Sequence, residues 1–468
     1  MPKPVKAVLI GAGNRGEAVY GRHALAHPEE IQFVAVAEPN QARRERFAQA
    51  HQIPQENRYH TWEELLGREQ IADAALVCTQ DHMHAAPVLT ALRAGYDVLV
   101  EKPMATTLAD CMRLVKAAEE TGRLLQVCHV LRYTAFFGML HDIVASGRLG
   151  DVVTVEHREN VAYWHMAHSY VRGNWRNSAA ASPMILAKCC HDLDLLYWIL
   201  GPVQQLSSVG SLLHFRPENA PPGAPERCTD GCPHENTCPW SAIRLYLELI
   251  PLLHTGRTSE SLFERMGSTL LLEYPRLTSW LRRVPAVDGA MDYRGWPIST
   301  ISEDTDPESR RRALETGPYG RCVYRCDNDV VDHQVVSMQL ESGASATLTM
   351  HGHSHQEGRT LRFDGTRATL RGRFMTNRQE IEIHDHLTGK IETIRPTVGQ
   401  LRDSGHGGGD GRLVSAFVQA VRGQATARTT AQESLASHLL AFAAEQARQD
   451  GCVVEMDTFR RQAEKEIR

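Results

Sequence analysis

The chain has 468 residues, of which 42% are hydrophobic and 23% charged, and its formal net charge at pH 7 is -5. A chain of this length and composition can bury a large core, and it predicts a globular protein of two domains, or of one domain with large insertions. Because acidic and basic residues are mixed along the chain without a basic stripe, we expect no nucleic-acid partner.

Two apolar stretches bear on location. The run before the first glycine turn, Val8-Leu9-Ile10, is too short for a signal-peptide core, and the stretch Met184 to Leu200 is interrupted by Lys188 and by acidic residues. We therefore expect a cytoplasmic protein with no membrane partner. In a reducing compartment its eleven cysteines indicate free thiols or metal ligands rather than disulfides.

A dinucleotide-binding pattern opens the chain. The apolar run Lys6 to Ile10 ends in Gly-Ala-Gly-Asn-Arg-Gly, and a helical stretch leads to a second apolar run, Phe33 to Ala37, that stops at Glu38. In this order the glycines let backbone N–H groups approach a pyrophosphate at a helix N-terminus, and the acid accepts the ribose hydroxyls. The predicted cofactor contacts in this segment are Gly11, Gly13, Asn14, Arg15, Gly16 and Glu38.

The acid at the end of the second run bears on the choice of cofactor. Glu38 would repel a 2'-phosphate and so favours NAD. Arg43 and Arg44 lie close enough in sequence to leave NADP possible, although both also suit a solvated helix face.

Two further strand-like runs, Ala74 to Cys78 and Val98 to Val100, flank a helical stretch from His84 to Arg93. They extend a doubly wound parallel sheet, and the loops after such strands face the ligand. The further cofactor contacts predicted from these loops are Thr79, His82, His84, Glu101 and Lys102.

The glycine motif together with Glu101-Lys102-Pro103 resembles the glucose-fructose oxidoreductase/inositol dehydrogenase (Gfo/Idh/MocA) family. The resemblance continues through Val130 to Tyr133, Trp175-Arg176 and His191 to Asp194. It implies an NAD(P)-dependent oxidoreductase that moves hydride between a sugar, polyol or cyclic alcohol and the nicotinamide, with Lys102 at both. It also implies an α/β fold with a Rossmann domain at 1–130 and a substrate domain at 131–468, whose large, open, mainly antiparallel sheet builds a homo-oligomer.

The C-terminal sequence is consistent with that sheet. Val336, Met338 and Leu340 alternate with polar residues, a Ser-Gly turn follows, and the alternation resumes from Ala344, which predicts a hairpin with one buried face. The end of the chain is helical: Thr430-Ala-Gln-Glu433 predicts a capping box, and the helix it opens should stop by Gly451.

Alcohol oxidation needs a group that takes the hydroxyl proton, and histidine has a suitable pKa. The family's motif here is Asp-x-Gly-x-His, which implies His191 as acid/base, but Ala187 replaces the aspartate. If this stretch is helical, Lys188, His191 and Asp192 share one face and could handle protons together. The alternatives are that His191 only packs its helix, and that Lys102 is the base or polarises the substrate oxygen.

Aromatic and hydrogen-bonding residues concentrate between Glu159 and Trp175, which suits a sugar whose CH faces stack on rings, although a packed interdomain loop would look the same. A glycine-rich loop, Gly405 to Asp410, is either a second pocket loop or a linker with Asp410 as helix N-cap. The candidate substrate contacts are His129, Arg132, Tyr163, His165, His168, Arg172, Asp192 and His406.

An insert at about residues 214–330 carries two cysteine groups, of spacing C-x3-C-x5-C and C-x3-C. Such groups resemble structural zinc sites. The alternatives are unligated thiols, an iron–sulfur cluster, which nothing else in the sequence favours, and ligation by His234 or Cys326. The predicted zinc ligands are Cys228, Cys232, Cys238 and Cys322.

Two other functions stay open. One is a redox-neutral, NAD-dependent glycosidase that oxidises a glycoside transiently and eliminates the aglycone, as some members of the family do. The other is a non-catalytic NAD-binding regulator, which would need neither Lys102 nor His191.

Overall fold

The computed structural model of the protein describes residues 3–259, 261–274, 293–376, 378–396 and 406–466. In this part of the chain no helix is both long and apolar enough to cross a bilayer.

The first sheet has six strands, all parallel, in the order β3-β2-β1-β4-β5-β6. Its central strands are buried on both faces because helices cover both sides. The order is that of a doubly wound nucleotide-binding fold, with the ligand crevice at the carboxyl ends of β1 and β4. The strands are β1 (Val5–Ile10), β2 (Ile31–Ala37), β3 (Arg58–Tyr59), β4 (Ala74–Val77), β5 (Asp97–Val100) and β6 (Leu125–Val127).

The helices around this sheet start with a π-helical segment directly after the glycine turn. They are Asn14–Gly21 continuing into Arg22–Ala26, then Gln41–Ala50, Trp62–Leu66, Ala85–Arg93 and Leu108–Thr121.

The second sheet has nine strands in the order β14-β13-β12-β11-β7-β10-β9-β8-β15, and every neighbouring pair is antiparallel except β7 and β10. The predicted fold class, a Rossmann sheet plus a large, mainly antiparallel sheet, is confirmed. The strands are β7 (Val152–Ala162), β8 (Val203–Ser211), β9 (His333–Leu340), β10 (Ser345–Ser354), β11 (Gly358–Gly365), β12 (Ala368–Met375), β13 (Arg378–Asp385), β14 (Ile391–Ile394) and β15 (Val454–Glu455).

The hairpin predicted from alternation is β9 and β10, and its apolar residues Val336, Met338 and Leu340 are buried. The predicted capping box is also confirmed: Thr430 accepts a hydrogen bond from the Glu433 N–H, and the helix ends at Gly451 with φ 63°. The helices outside the insert are Ala135–Ala145, Tyr163–His165, Met166–Arg172, Met184–Ala187, Cys190–Leu200, Gly409–Val421, Ala431–Asp450 and Met456–Glu466.

The cysteine-bearing insert runs between β8 and β9, which are themselves paired. It packs a small core of its own against Trp164. The division of the chain at residue 130 stays a prediction; β6 ends at Val127 and β7 begins at Val152. The insert's helices are Ala242–Tyr246, Ile250–Gly256, Leu262–Glu273, Ile298–Ile301 and Pro307–Thr316.

Candidate functional site

The glycine turn after β1 is built for close backbone contact. Gly11 has φ +93°, and a Cβ there would lie 2.8 Å from the carbonyl oxygen of Cys78. A Cβ on Gly16 would collide with the Gly11 carbonyl, whereas one on Gly13 would meet no atom within 4 Å. The turn therefore has room beside Gly13, where a pyrophosphate would lie against the following helix N-terminus.

The carboxylate of Glu38 lies at this turn. It is buried and accepts hydrogen bonds from the Ala12 N–H at 2.7 Å and the Asn40 N–H at 2.9 Å. Across the crevice the buried Thr79 hydroxyl has no hydrogen-bond partner among the described residues. An acceptor at the ribose position and an unsatisfied hydroxyl facing the crevice fit a dinucleotide.

The two arginines that left NADP open have other partners. Arg43 Nε lies 2.6 Å from Glu303, and Arg44 donates to the backbone carbonyl of Glu38 at 2.6 Å. Both guanidinium groups thus already have acceptors.

Arg15 joins three segments rather than standing alone on the turn. Its Nε lies 2.5 Å from Glu101, its Nη2 lies 2.7 Å from Asp410, and Tyr20 hydrogen-bonds the same Glu101 carboxylate. Although burial alone would raise the pKa of Glu101, the Arg15 charge and the Tyr20 hydroxyl hold that pKa below its usual value. The prediction of Asp410 as an N-cap is wrong, because Gly408 holds the cap position and Asp410 lies in the first turn.

The loops after β4 and β5 are tied together by His84. Its ring nitrogens lie 2.7 Å from the Pro103 carbonyl and 3.1 Å from the Thr79 carbonyl. His84 therefore positions the two cofactor loops from below, and His82 beside it is exposed. The two histidines were predicted as equal cofactor contacts, but the structure places them in different environments.

Lys102 reaches from the first sheet to the second half of the chain. Its Nζ donates a hydrogen bond to the Ala187 carbonyl at 2.8 Å. Besides burial, its charge lowers the pKa of both His129 and His165, so the three side chains share one environment. The position at which relatives would carry an aspartate thus meets Lys102 through its backbone.

Three histidine rings stack beside this contact. His129 lies edge-to-face with His191, with ring centroids 5.8 Å apart, and with His438 at the same separation. Burial is the main cause that lowers the pKa of His129 well below its usual value and that of His438 to about 3. His438 was missed by the sequence, where it appears only as one polar residue in a long helix.

The stretch before His191 is not one helix. Met184–Ala187 ends and Cys190–Leu200 begins, and Lys188 lies in the break. The expectation that Lys188, His191 and Asp192 share a helical face is therefore wrong.

Lys188 instead bridges two carboxylates, with its Nζ 2.8 Å from Glu357 and 3.2 Å from Glu159. Burial alone would lower the pKa of Lys188, but these two carboxylates raise it, so the side chain is a fixed cation rather than a proton acceptor.

These contacts belong to a buried charged network on β7 and β11. Arg359 lies 2.5 Å from Glu159 and 2.7 Å from Asp192, which also takes a 2.7 Å hydrogen bond from His157. Burial raises the pKa of Glu159 to about 7. The charged network comprises His157, Glu159, His165, Lys188, Asp192, Glu357 and Arg359.

Asp192 is thus held by two protein partners, which leaves it poorly placed for a substrate. Arg132 is in the same position, because it forms a two-pronged pair with the buried Asp194 at 2.7 Å on both arms. His165, in contrast, lies half-buried at the edge of the charged network, 3.1 Å from Glu357.

The aromatic segment divides between the site and the insert. His165 contacts the Trp296 ring at 4.9 Å and Tyr163 is half-buried beside it, whereas His168 hydrogen-bonds Tyr246 at 2.7 Å and stacks on Tyr319. The side chain of His406 lies outside the described part of the structure.

The insert's thiols come together. One cavity is lined by Arg172, by His234 and by four cysteines, and these are Cys228, Cys232, Cys238 and Cys322. Cys326 is not part of this lining, and its thiol donates to the Cys322 carbonyl. Arg172, predicted to contact substrate, faces this cavity instead.

The chain matches the profile of an oxidoreductase family over nearly its whole length. The family's NAD-binding Rossmann fold covers residues 5–129, and its C-terminal alpha/beta domain covers residues 142–226 and 276–456. The protein belongs to the Gfo/Idh/MocA oxidoreductase family. Curated relatives of this Gfo/Idh/MocA protein are named as dehydrogenases and reductases that act on CH–OH groups.

Two of these relatives indicate the range. The chain is 35% identical over 142 residues to 1,5-anhydro-D-fructose reductase of Ensifer adhaerens, covering 30% of the chain and 40% of the relative. It is 32% identical over 195 residues to inositol 2-dehydrogenase 2 of Saccharopolyspora erythraea, covering 41% and 53%. The aligned parts span between 34% and 54% of the lengths of such relatives.

Among solved structures, the fold matches an oxidoreductase from Agrobacterium radiobacter in complex with NAD+, L-tartaric acid and magnesium. The TM-score is 0.63 at 13% identity, over 97% of this chain and 99% of that one. This likeness concerns the Gfo/Idh/MocA fold alone.

Proposed function

We propose that the protein is an NAD-dependent oxidoreductase that transfers hydride between the nicotinamide and a CH–OH group of a sugar, polyol or cyclic alcohol. The observation that carries the proposal is the Lys102–Ala187 contact. It joins the loop after β5, at the nucleotide crevice, to the segment that ends in His191.

Bound NAD would supply the hydride acceptor, held by the glycine turn, Glu38 and Thr79. The chain's own residues would handle the proton and the oxygen. His191 takes the hydroxyl proton, because an imidazole exchanges a proton near neutral pH. The Lys102 ammonium donates a hydrogen bond to the same substrate oxygen and polarises it.

Lys188, first a catalytic candidate, becomes a positioning residue. Its ammonium is fixed by Glu159 and Glu357, and Glu357 in turn holds the imidazole of His165. His165, Tyr163 and Trp296 form a half-buried aromatic wall, a surface that suits the CH faces of a cyclic polyol. The named relatives act on an anhydro sugar and on inositol, which supports this substrate class.

The cofactor is proposed to be NAD rather than NADP. A 2'-phosphate would meet the Glu38 carboxylate, and the Arg43 side chain, which could balance it, is paired with Glu303.

The test is a spectrophotometric assay of NADH formation on a panel of sugars and inositols, with calorimetric titration of NAD. His191→Asn and Lys102→Met should each lower kcat by roughly 10²-fold or more while NAD still binds. Lys116→Met is a matched control, because Lys116 is an exposed lysine on the neighbouring helix Leu108–Thr121.

Other outcomes decide between the alternatives. Aryl-glycoside cleavage without net NADH would establish the redox-neutral glycosidase instead. Tight NAD binding without turnover of any panel member would favour the regulator.

We also propose a homo-oligomer formed through the nine-stranded sheet. The strands β7, β11 and β12 present exposed charges of both signs on one face, so two copies could pair opposite charges. Arg371→Glu combined with Arg373→Glu should dissociate the oligomer in sedimentation equilibrium, and an unchanged mass would contradict this interface.

A further inference from the structure

The cavity lined by the insert's thiols, here called the cysteine cavity, is assembled by backbone pairing. The Cys228 N–H donates to the Gly320 carbonyl at 2.9 Å, and the Cys322 N–H donates to the Glu226 carbonyl at 2.8 Å. This short antiparallel bridge joins two segments that are far apart in sequence. The third segment follows through a turn in which the Cys238 N–H donates to the His234 carbonyl at 2.8 Å.

Backbone N–H groups point at three of the four sulfurs. The Ala242 N–H lies 3.5 Å from Cys228 Sγ, and the Trp240 and Tyr324 N–H groups hydrogen-bond Cys238 and Cys322. A thiol needs no such donors, but a thiolate is stabilised by them, and outer-shell hydrogen bonds of this kind orient metal-bound sulfurs.

Arg172 is the second, independent observation. Its side chain is fully buried and lines the cysteine cavity. Two of its nitrogens donate to the carbonyls of Arg321 and Trp240, each at 2.7 Å, while Nη1 has no hydrogen-bond partner among the described residues.

The charge of Arg172 has no acidic side chain to balance it. The groups that favour its charged form include three thiols and a tyrosine, but no carboxylate is among them. A buried guanidinium is costly unless negative charge faces it. Four neutral thiols supply none, whereas four thiolates around a metal centre leave a net negative charge.

We propose that Cys228, Cys232, Cys238 and Cys322 bind an iron–sulfur cluster whose negative charge is balanced by Arg172. A single zinc ion with four sulfur ligands at ~2.3 Å would bring the sulfurs within ~4 Å of one another. Among the described residues, no three cysteine sulfurs lie mutually within 4.8 Å. A cluster separates its cysteine ligands more widely, because several iron atoms lie between them.

The cluster's role is structural. Arg172 ends the helix Met166–Arg172, which follows directly on His165 of the aromatic wall. Holding Arg172 therefore holds the wall in place, and no electron needs to pass through the cluster for hydride transfer. The proposal is independent of the substrate.

The test is the iron, sulfide and zinc content of the full-length protein purified without oxygen. We expect about four iron and four sulfide per chain, with broad visible absorption. Cys238→Ser should lose both. The matched control is Cys326→Ser, in the same insert but off the cavity lining, which should keep both.

A second measurement uses the unaltered protein, so it does not depend on a variant that folds. Oxidative removal of the cluster should add four titratable thiols to those that react in the native state. One zinc per chain, lost in Cys238→Ser, would overturn the cluster assignment. Absence of both metals, with all insert thiols reactive from the start, would overturn the site itself.

Discussion

Replacing Arg15 by methionine tests the ionic junction between the glycine turn, the loop after β5 and the helix Gly409–Val421. The change keeps an unbranched apolar side chain but leaves the Glu101 and Asp410 carboxylates without their cation. Removing one partner from a buried ion pair costs about 3–5 kcal/mol. Because the Arg15 side chain is 23% exposed, we expect the lower end, about 3 kcal/mol at neutral pH.

The pH dependence separates this loss from a packing effect. In the native protein the pKa of Glu101 is lowered, so its ionisation stabilises the fold above the unfolded value of about 4.3 and that stability is lost as the pH falls. Without Arg15, burial raises the same pKa, and ionisation destabilises the fold instead. The loss in Arg15→Met should therefore shrink as the pH is lowered from about 7.5 to about 5.

The assay is urea unfolding followed by tryptophan fluorescence at both pH values. Arg46→Met is the control, since it removes an exposed pair with Glu17 on the neighbouring helix and should cost below about 1 kcal/mol. Adding Asp410→Asn to Arg15→Met should recover part of the loss. Equal losses at both pH values, with no recovery in the double variant, would refute the electrostatic reasoning.

The glycine turn, its acid and the charged network each give a further prediction. Gly11→Ala should cost roughly 2 kcal/mol or more and abolish NAD binding in calorimetry, whereas Gly147→Ala, also at positive φ but in open space, should cost about 1 kcal/mol and leave binding intact. Glu38→Gln should weaken NAD about tenfold and narrow the preference over NADP, measured by titrating both; an unchanged ratio would count against the acid. Glu159→Gln should match the native stability at about pH 4 and exceed it increasingly towards about pH 7, because the raised pKa of Glu159 makes its ionisation destabilising; parallel pH curves would contradict this.

The features that sequence reasoning predicted well depend on local pattern. The glycine turn is recognisable because its glycines and the flanking strands follow one another within a short stretch. The β9–β10 hairpin is visible in the two-residue alternation from Val336, and the capping box at Thr430 is a four-residue signature.

The ionic contacts were missed because they depend on pairings that no local pattern encodes. Glu159 and Arg359 become partners only through the register of β7 against β11, in which they lie directly opposite each other. Arg15 and Asp410 meet across almost the whole chain. The break at Lys188 was likewise hidden, because an apolar stretch predicts a continuous helix until its cation finds carboxylates elsewhere.

The insert's position between the paired strands β8 and β9 has a consequence for how such a protein can be altered. Ser211 and His333 close the strand pair at the point where the insert leaves and returns, so the sheet's register does not depend on what lies between them. Long segments at such points are tolerated at small entropic cost. A graft that exchanges residues 212–332 should leave the scaffold folded while replacing Trp296 of the aromatic wall, so the insert behaves as an exchangeable specificity cassette.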